Sequence, residues 1–191
     1  MKSRFLFRAL AAIIAVIAVF SASACSPLAS EETVLEEFRR LYERSLVVNE
    51  YIWGDGLPAK EYGSAGNIPY YVEVSEESPY RTRDELTAAV CEVYGDSYVS
   101  GSLKAYLFDG YGSNTVFSRY SADVNGYLSV DVKFCEEDTS GRFLTETARA
   151  DVYSDHAIIT CDYERSDMGV KTFTLKMVLQ HNGWRFDQTT R

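Results

Sequence analysis

The C-terminal stretch at residues 171–186 reads KTFTLKMVLQHNGWRF. Its first part alternates between apolar and polar side chains, which is typical of a strand with one buried face. The apolar side of that strand consists of Phe173, Leu175, Met177 and Leu179. Asn182-Gly183 favours a tight turn, and a two-residue turn there would place Leu179 opposite Phe186. The stretch therefore predicts an antiparallel hairpin with one apolar face.

Turn pairs farther upstream indicate that the hairpin is one of a series. From Val116 onward, alternating runs are separated by an Asn-Gly pair at 125–126 and a Ser-Asp pair at 154–155, a spacing typical of consecutive hairpins. Counting outward from residues 154–155 places Ala148 opposite Cys161. Because this face of the strand is apolar, we expect the Cys161 thiol to be buried.

The first half of the chain has helical periodicity instead. Ser30 followed by two glutamates favours an N-cap, and apolar residues then recur every three or four positions over about residues 31–50. That stripe comprises Val34, Leu35, Phe38, Leu41, Tyr42 and Leu46. A short strand is predicted at 69–75. The Thr82–Glu85 spacing fits a capping box and predicts a second helix to about residue 94, and residues 103–107 favour a shorter helical segment.

This order of elements predicts the fold class. A helix, a strand and further helices precede a run of antiparallel strands, so the helices are expected on one face of the sheet. We therefore predict a single α+β domain over residues 31–191, with N-terminal helices packed on a curved antiparallel sheet built of consecutive hairpins.

The N-terminal segment has the pattern of an export signal. Lys2, Arg4 and Arg8 precede an apolar run at residues 9–20, which would span only about 18 Å as a helix and is too short to cross a bilayer. Small residues then lead to Cys25, as in a bacterial lipobox. We predict a signal peptide over 1–24, lipid attachment at Cys25 and a tether over 25–30, which would hold the protein on the extracytoplasmic face of the cell membrane.

An alternative remains for the same segment. Ala22 occupies the position three residues before Cys25, where a lipobox usually has Leu, and Ala22-Ser23-Ala24 also fits an ordinary signal-peptidase site. In that case the protein would be secreted without a lipid, with Cys25 as an incidental first residue.

The charge of the mature chain excludes one class of partner. Residues 1–24 hold three of the 19 basic residues and none of the 28 acidic ones, so cleavage leaves 16 basic and 28 acidic residues and a net charge of −12. Such a surface repels nucleic acid. We expect a monomer that does not bind nucleic acid, with a cationic partner or a basic groove on another protein as the complementary surface.

Catalytic and metal-binding patterns are weak in this sequence. Nucleophilic catalysis needs a base beside the nucleophile, and the chain has two histidines, so the possible dyads are Cys161 with His181 and Cys91 with His156. No CxxC, HxH or HExxH spacing occurs, and the acidic run at residues 136–138 resembles a solvated loop. We predict no enzyme activity, no cofactor and no metal, and we leave open whether two of Cys91, Cys135 and Cys161 form a disulfide.

Several of these features together resemble a known family. The lipobox-like start, the amphipathic helix, the YYVEV strand at 70–74, the capped helix at 82–94 and the NGWRFD ending at 182–187 are similar to bacterial secreted lipoproteins with a cystatin-like, nuclear-transport-factor-like fold. Within that group the chain resembles the secreted inhibitors of cell-wall D,L-endopeptidases over residues 31–189. The resemblance implies a non-enzymatic, envelope-anchored inhibitor whose partner is a cell-wall hydrolase.

Ligand binding in a pocket between the helices and the sheet is the alternative function. Tyrosines and Trp184 could line such a pocket and bind a small ligand or a glycan, although aromatic residues are equally expected in the core of this chain. Tyr111 and Tyr120, near the Gly-Tyr-Gly run at 110–112, are further candidates for exposed contact residues.

Overall fold

The computed structural model describes residues 28–61, 70–109, 118–133, 141–181 and 183–190. Within these ranges three α-helices lie in the first half, namely α1 (Glu31–Ile52), α2 (Arg83–Cys91) and the single-turn α3 (Asp96–Tyr98). Two π-helical turns follow α3, at Val99–Leu103 and Ala105–Asp109. The strands are β1 (Tyr71–Glu73), β2 (Tyr120–Ala122), β3 (Leu128–Asp131), β4 (Arg142–Val152), β5 (His156–Arg165), β6 (Gly169–Gln180) and β7 (Gly183–Phe186).

These elements confirm the predicted α+β class. The strands pair antiparallel throughout and belong to two sheets, a three-stranded one in the order β1-β3-β2 and a four-stranded one in the order β4-β5-β6-β7. The larger sheet consists of consecutive hairpins, as its turn pairs predicted. The strands of the smaller sheet are three or four residues long.

Helix α1 begins at the predicted cap and packs on the larger sheet. The Ser30 hydroxyl accepts a hydrogen bond from the Thr33 N–H at 3.2 Å. The ring of Phe38 meets Phe186 of β7 edge to face, with 6.0 Å between ring centroids. Leu46, expected in the buried stripe, is 49% exposed, because the helix turns Ser45 and Asn49 inward at that level.

The β4–β5 hairpin has the predicted register near its turn and loses it farther along. Ala150 pairs with Ile159, as expected, but the ladder shifts between Leu144 and Arg149. The predicted pairing of Ala148 with Cys161 is therefore wrong. Extra residues on β4 form a bulge, and the Thr147 hydroxyl accepts the Asp162 N–H at 2.9 Å where a strand carbonyl would otherwise lie. Cys161 is nevertheless buried, as predicted.

The β6–β7 hairpin is out of the predicted register by two residues. Leu179 pairs with Trp184, and Gln180 pairs with Gly183, whereas Asn182 lies outside the described residues. Since side chains alternate with a period of two, a slip of two residues keeps the same side chains on the apolar face. On that face Leu175 and Met177 are buried as predicted, whereas Phe173 and Leu179 are 41% and 46% exposed.

Helix α2 is held in place at both ends. Its capping box is formed as predicted, with the Thr82 hydroxyl accepting the Glu85 N–H and the Glu85 carboxylate accepting the Thr82 N–H. The helix ends at Cys91, earlier than predicted. The chain then runs beside β7, where Gly95 N–H donates to Phe186 O at 2.8 Å and Phe186 N–H donates to Val93 O at 2.9 Å. These bonds fix where the chain turns back from α2 into α3.

Candidate functional site

A cleft of about 360 Å³ lies between α2 and the helical segment at residues 96–109 that follows it. It is half enclosed, and its exposed lining is mostly apolar. The wall from α2 consists of Arg83, Asp84, Thr87, Val90 and Cys91. The opposite wall consists of Asp96, Val99, Ser100, Lys104, Leu107 and Phe108.

The spacing of these residues shows how the chain builds the cleft. The α2 residues recur at helical intervals and lie on one face of that helix. The opposite wall runs back along α2 in π-helical turns, which are wider than α-helical turns and occur frequently at functional sites. Phe108 thus lies near the start of α2, and Asp96 lies near its end. The eight steps from Arg83 to Cys91 make the cleft about 12 Å long.

The floor of the cleft is apolar. Val90, Val99 and Leu107 are buried in the main core, and Phe108 is half-buried beside them. Water on such a floor has few hydrogen-bonding partners, so an apolar ligand group that displaces it gains free energy in proportion to the area covered.

One end of the cleft carries a linked set of charges. The Arg83 guanidinium lies over the Phe108 ring, 4.5 Å from the centroid, and its Nη2 lies 3.5 Å from Asp109 Oδ1. Lys104 Nζ lies 3.7 Å from the other oxygen of Asp109. Two cations therefore share a single carboxylate at this end.

The other end carries a thiol and a carboxylate. Cys91 is free and half-buried; burial raises the pKa of its thiol, and the negative charge of Asp96 raises it further, against the opposing effect of Arg185. The Arg185 side chain reaches this end by donating from Nε to Cys91 O at 2.8 Å. A thiol with a raised pKa is a poor nucleophile near neutral pH.

The two cysteine–histidine dyads considered from the sequence are not assembled. The Cys161 thiol donates to Leu144 O at 3.2 Å. Cys161 pairs with Phe173, and His181 lies eight residues beyond Phe173, or roughly 26 Å of extended chain. Cys161 and His181 are therefore far apart. His156 stacks on Tyr153 with 4.5 Å between ring centroids and does not line the cleft that contains Cys91.

The remaining sequence candidates concern a metal site, the lipid anchor, the other cysteines and Tyr111. Among the described residues, no group of three or more His, Cys, Asp or Glu side chains could hold a metal ion. The lipid-attachment candidate Cys25, Cys135, the acidic run at 136–138 and Tyr111 lie outside the described residues. Cys91 and Cys161 are both free thiols.

Two aromatic residues expected at a binding surface belong to the core. Trp184 is buried and does not line the cleft. Tyr120 is fully buried, and its hydroxyl donates to Tyr51 O at 2.6 Å while accepting the Leu57 N–H at 3.0 Å. The expectation that Tyr120 is an exposed contact residue is therefore wrong.

Comparison with known proteins does not identify a family for this chain. No protein-family model matches the chain. No curated protein matches its sequence.

Within the described ranges, no helix is both long and apolar enough to cross a membrane.

Both walls of the cleft were predicted from the sequence, as the capped helix and a helical segment over 103–107, but their pairing was not. The return of the chain beside α2 depends on contacts of residues 93–95 with β7. The available signal was the recurrence of apolar residues at 99, 103 and 107, which indicates a second helical wall.

Proposed function

We propose that this chain is an envelope-anchored, non-enzymatic binding protein that takes a small amphipathic ligand in the cleft between α2 and residues 96–109. The half-enclosed apolar floor with charged groups at both ends carries this proposal. Its volume falls within the range of about 300–1,000 Å³ that is typical of small-molecule sites. The apolar floor favours an amphipathic ligand over a glycan, which needs a more polar lining.

The chemistry of the cleft supports binding over catalysis. The thiol in the lining belongs to Cys91, and none of the described residues that line the cleft is a histidine. The raised pKa of Cys91 keeps its thiol protonated near neutral pH. Asp96 lies beside this thiol, but its negative charge raises the pKa of Cys91 and so disfavours the reactive thiolate. Ligand retention requires only the apolar floor and the polar rim.

The location of the protein is part of the proposal. The basic head, the short apolar run and Cys25 support export and lipid attachment on the outer face of the membrane. Mass spectrometry of the mature N-terminus tests this point: diacylglycerol on Cys25 is the expected result, and a free thiol there or a cleavage elsewhere would refute the anchor.

Shift mapping by NMR tests the binding site. Small molecules extracted from the cell envelope are added to isotope-labelled protein, and amide shifts are followed across the chain. The proposal predicts shifts concentrated at residues 83–91 and 96–108. Shifts centred on another surface, such as the outer face of β5 and β6, would place the ligand elsewhere.

Inhibition of a peptidoglycan D,L-endopeptidase is the second candidate function. It is supported by the net charge of −12 on the mature chain, because an acidic protein is attracted to a basic groove and associates faster with it. In a hydrolysis assay with a purified endopeptidase, micromolar protein should slow cleavage, and the effect should weaken at high salt. Unchanged hydrolysis at a large molar excess would exclude this function.

A further inference from the structure

The ion pairs around the cleft leave two lining carboxylates unpaired. The lining has two cations, Arg83 and Lys104, and two carboxylates, Asp84 and Asp96. Both cations are linked to a third carboxylate, Asp109, which is not part of the lining. Asp84 and Asp96 form no ion pair within the part of the chain that the structure describes. The cleft therefore has two carboxylates that can pair with a cationic ligand.

The two remaining carboxylates are not equivalent. Asp84 adjoins Arg83 in the chain and lies at the end where the cations are concentrated. Asp96 lies at the opposite end, beside the Cys91 thiol, whose pKa its charge raises. The cation near that end, Arg185, directs its Nε and Nη1 to main-chain oxygens of Cys91 and Trp184. Asp96 is therefore the carboxylate with the least local compensation.

The apolar floor between the two ends determines the length and polarity of the rest of the ligand. Val90, Val99 and Leu107 lie along it, and Phe108 closes it at the end near Arg83. An apolar body of up to about 12 Å fits this length, with one end near Asp96. The overall acidity of the protein also attracts a small cation and repels a small anion.

We propose that the ligand is a small amphipathic amine, with its ammonium group at Asp96 and its apolar body along the floor toward Phe108. This inference rests on the proposed binding function and specifies the ligand class. A small molecule, rather than a basic side chain of a partner protein, fits the half-enclosed volume of about 360 Å³.

Three probes with the same apolar body separate the possible head groups: phenylbutylamine, phenylbutanol and phenylbutanoate. Each is titrated into the purified protein while iodoacetamide alkylates Cys91, and peptide mapping measures the rate at that cysteine. Because Cys91 lines the cleft, an occupant slows its alkylation, and the concentration dependence gives the dissociation constant of each probe.

The amine is expected to bind about fivefold more tightly than the alcohol, the size of a partly exposed ion pair, and the carboxylate more weakly than either. Asp96→Asn should remove the advantage of the amine over the alcohol. Asp84→Asn makes the same charge change at the other end of the cleft and should retain most of that advantage.

The outcomes distinguish this inference from the binding function on which it rests. If the alcohol or the carboxylate protects Cys91 as well as the amine, or if both variants lose the preference equally, the amine assignment is wrong while the cleft remains a binding site. If none of the three probes protects Cys91 at millimolar concentration, the binding function fails as well. Protection that is specific to peptides with basic side chains would show that the cleft serves a protein partner, and it would also overturn the inference.

Discussion

The guanidinium of Arg83 lies over the ring of Phe108 at 4.5 Å from the centroid and joins α2 to the opposite wall of the cleft. A contact of this kind stabilises by about 0.5–1 kcal/mol at an exposed site. A double-mutant cycle of Arg83→Gln and Phe108→Leu should therefore give a coupling free energy of about that size in chemical denaturation. The cycle isolates this contact from the ion pair of Arg83 with Asp109.

A second arginine–aromatic pair provides the control for that cycle. Arg81 lies over Tyr127 at a longer distance of 5.6 Å, so Arg81→Gln with Tyr127→Leu should give a smaller coupling. Equal coupling in the two cycles, or none between Arg83 and Phe108, would mean that the contact does not hold the cleft wall in place.

The acidity of Cys91 reports the charge at the far end of the cleft. Burial and Asp96 both raise its pKa above the ordinary value near 9.0, so alkylation should reach half its limiting rate at a pH above 9. Asp96→Asn removes one cause, and the midpoint should move down. Peptide mapping of alkylated Cys91 across a pH series measures this midpoint. A midpoint that is unchanged in Asp96→Asn would show that Asp96 does not act on the cleft.

A buried polar network anchors the C-terminus to α1. The Tyr94 hydroxyl donates to Asn49 Oδ1 at 2.5 Å and lies 3.0 Å from Thr190 Oγ1. Tyr94→Phe leaves these two buried groups with fewer partners, and the free energy of unfolding should fall by about 1–3 kcal/mol. The exposed Tyr127→Phe should change it by less than about 0.5 kcal/mol. Equal effects in urea denaturation would contradict the network.

Tyr120 is one of the buried phenols, with Tyr94, whose raised pKa should make stability decline in alkali. Burial raises the pKa of the Tyr120 phenol to about 12 in the folded protein, from an ordinary value near 10. The unfolded chain loses the proton first as pH rises, so the stabilisation is complete below pH 10 and is lost between about pH 10 and 12, by up to about 1.4 kcal/mol per pH unit.

The variant Tyr120→Phe separates that titration from its hydrogen bonds. It removes the acceptor of the Leu57 N–H, so it should be less stable at neutral pH. Its stability should nevertheless fall less steeply above pH 10 than that of the unmodified protein. Denaturation curves at a series of pH values measure both effects, and parallel alkaline slopes would rule out Tyr120 as a titrating group.

The sequence predicted the fold class because its local signals agree with the tertiary structure. Ser30 and the Thr82–Glu85 capping box mark the starts of α1 and α2 correctly. The period-two runs identify the strands of the larger sheet. Each of these signals reflects hydrogen bonds or burial within a few residues, which the order of residue types determines.

Features that depend on long-range packing were harder to predict. The bulge near Thr147 arises because β4 has more residues than β5 over that stretch. The alternation of side chains within one strand does not show how many residues the partner strand has there. The burial of Tyr120 depends on Tyr51 and Leu57, more than 60 residues away in the chain. The cleft likewise exists only because residues 93–95 run beside β7 and bring Asp96 back along α2.

Ligand retention in a blocked cleft tests whether the cleft is the binding site. Thr87 lines the cleft on α2, and the adjacent Ala88 is exposed and does not line it, so Thr87→Trp should fill the cleft while Ala88→Trp adds the same indole outside it. Small molecules released from protein purified from the cell envelope are quantified by mass spectrometry. We expect a compound that is retained by the unmodified protein and by Ala88→Trp and is lost from Thr87→Trp. Equal retention by all three proteins would contradict it.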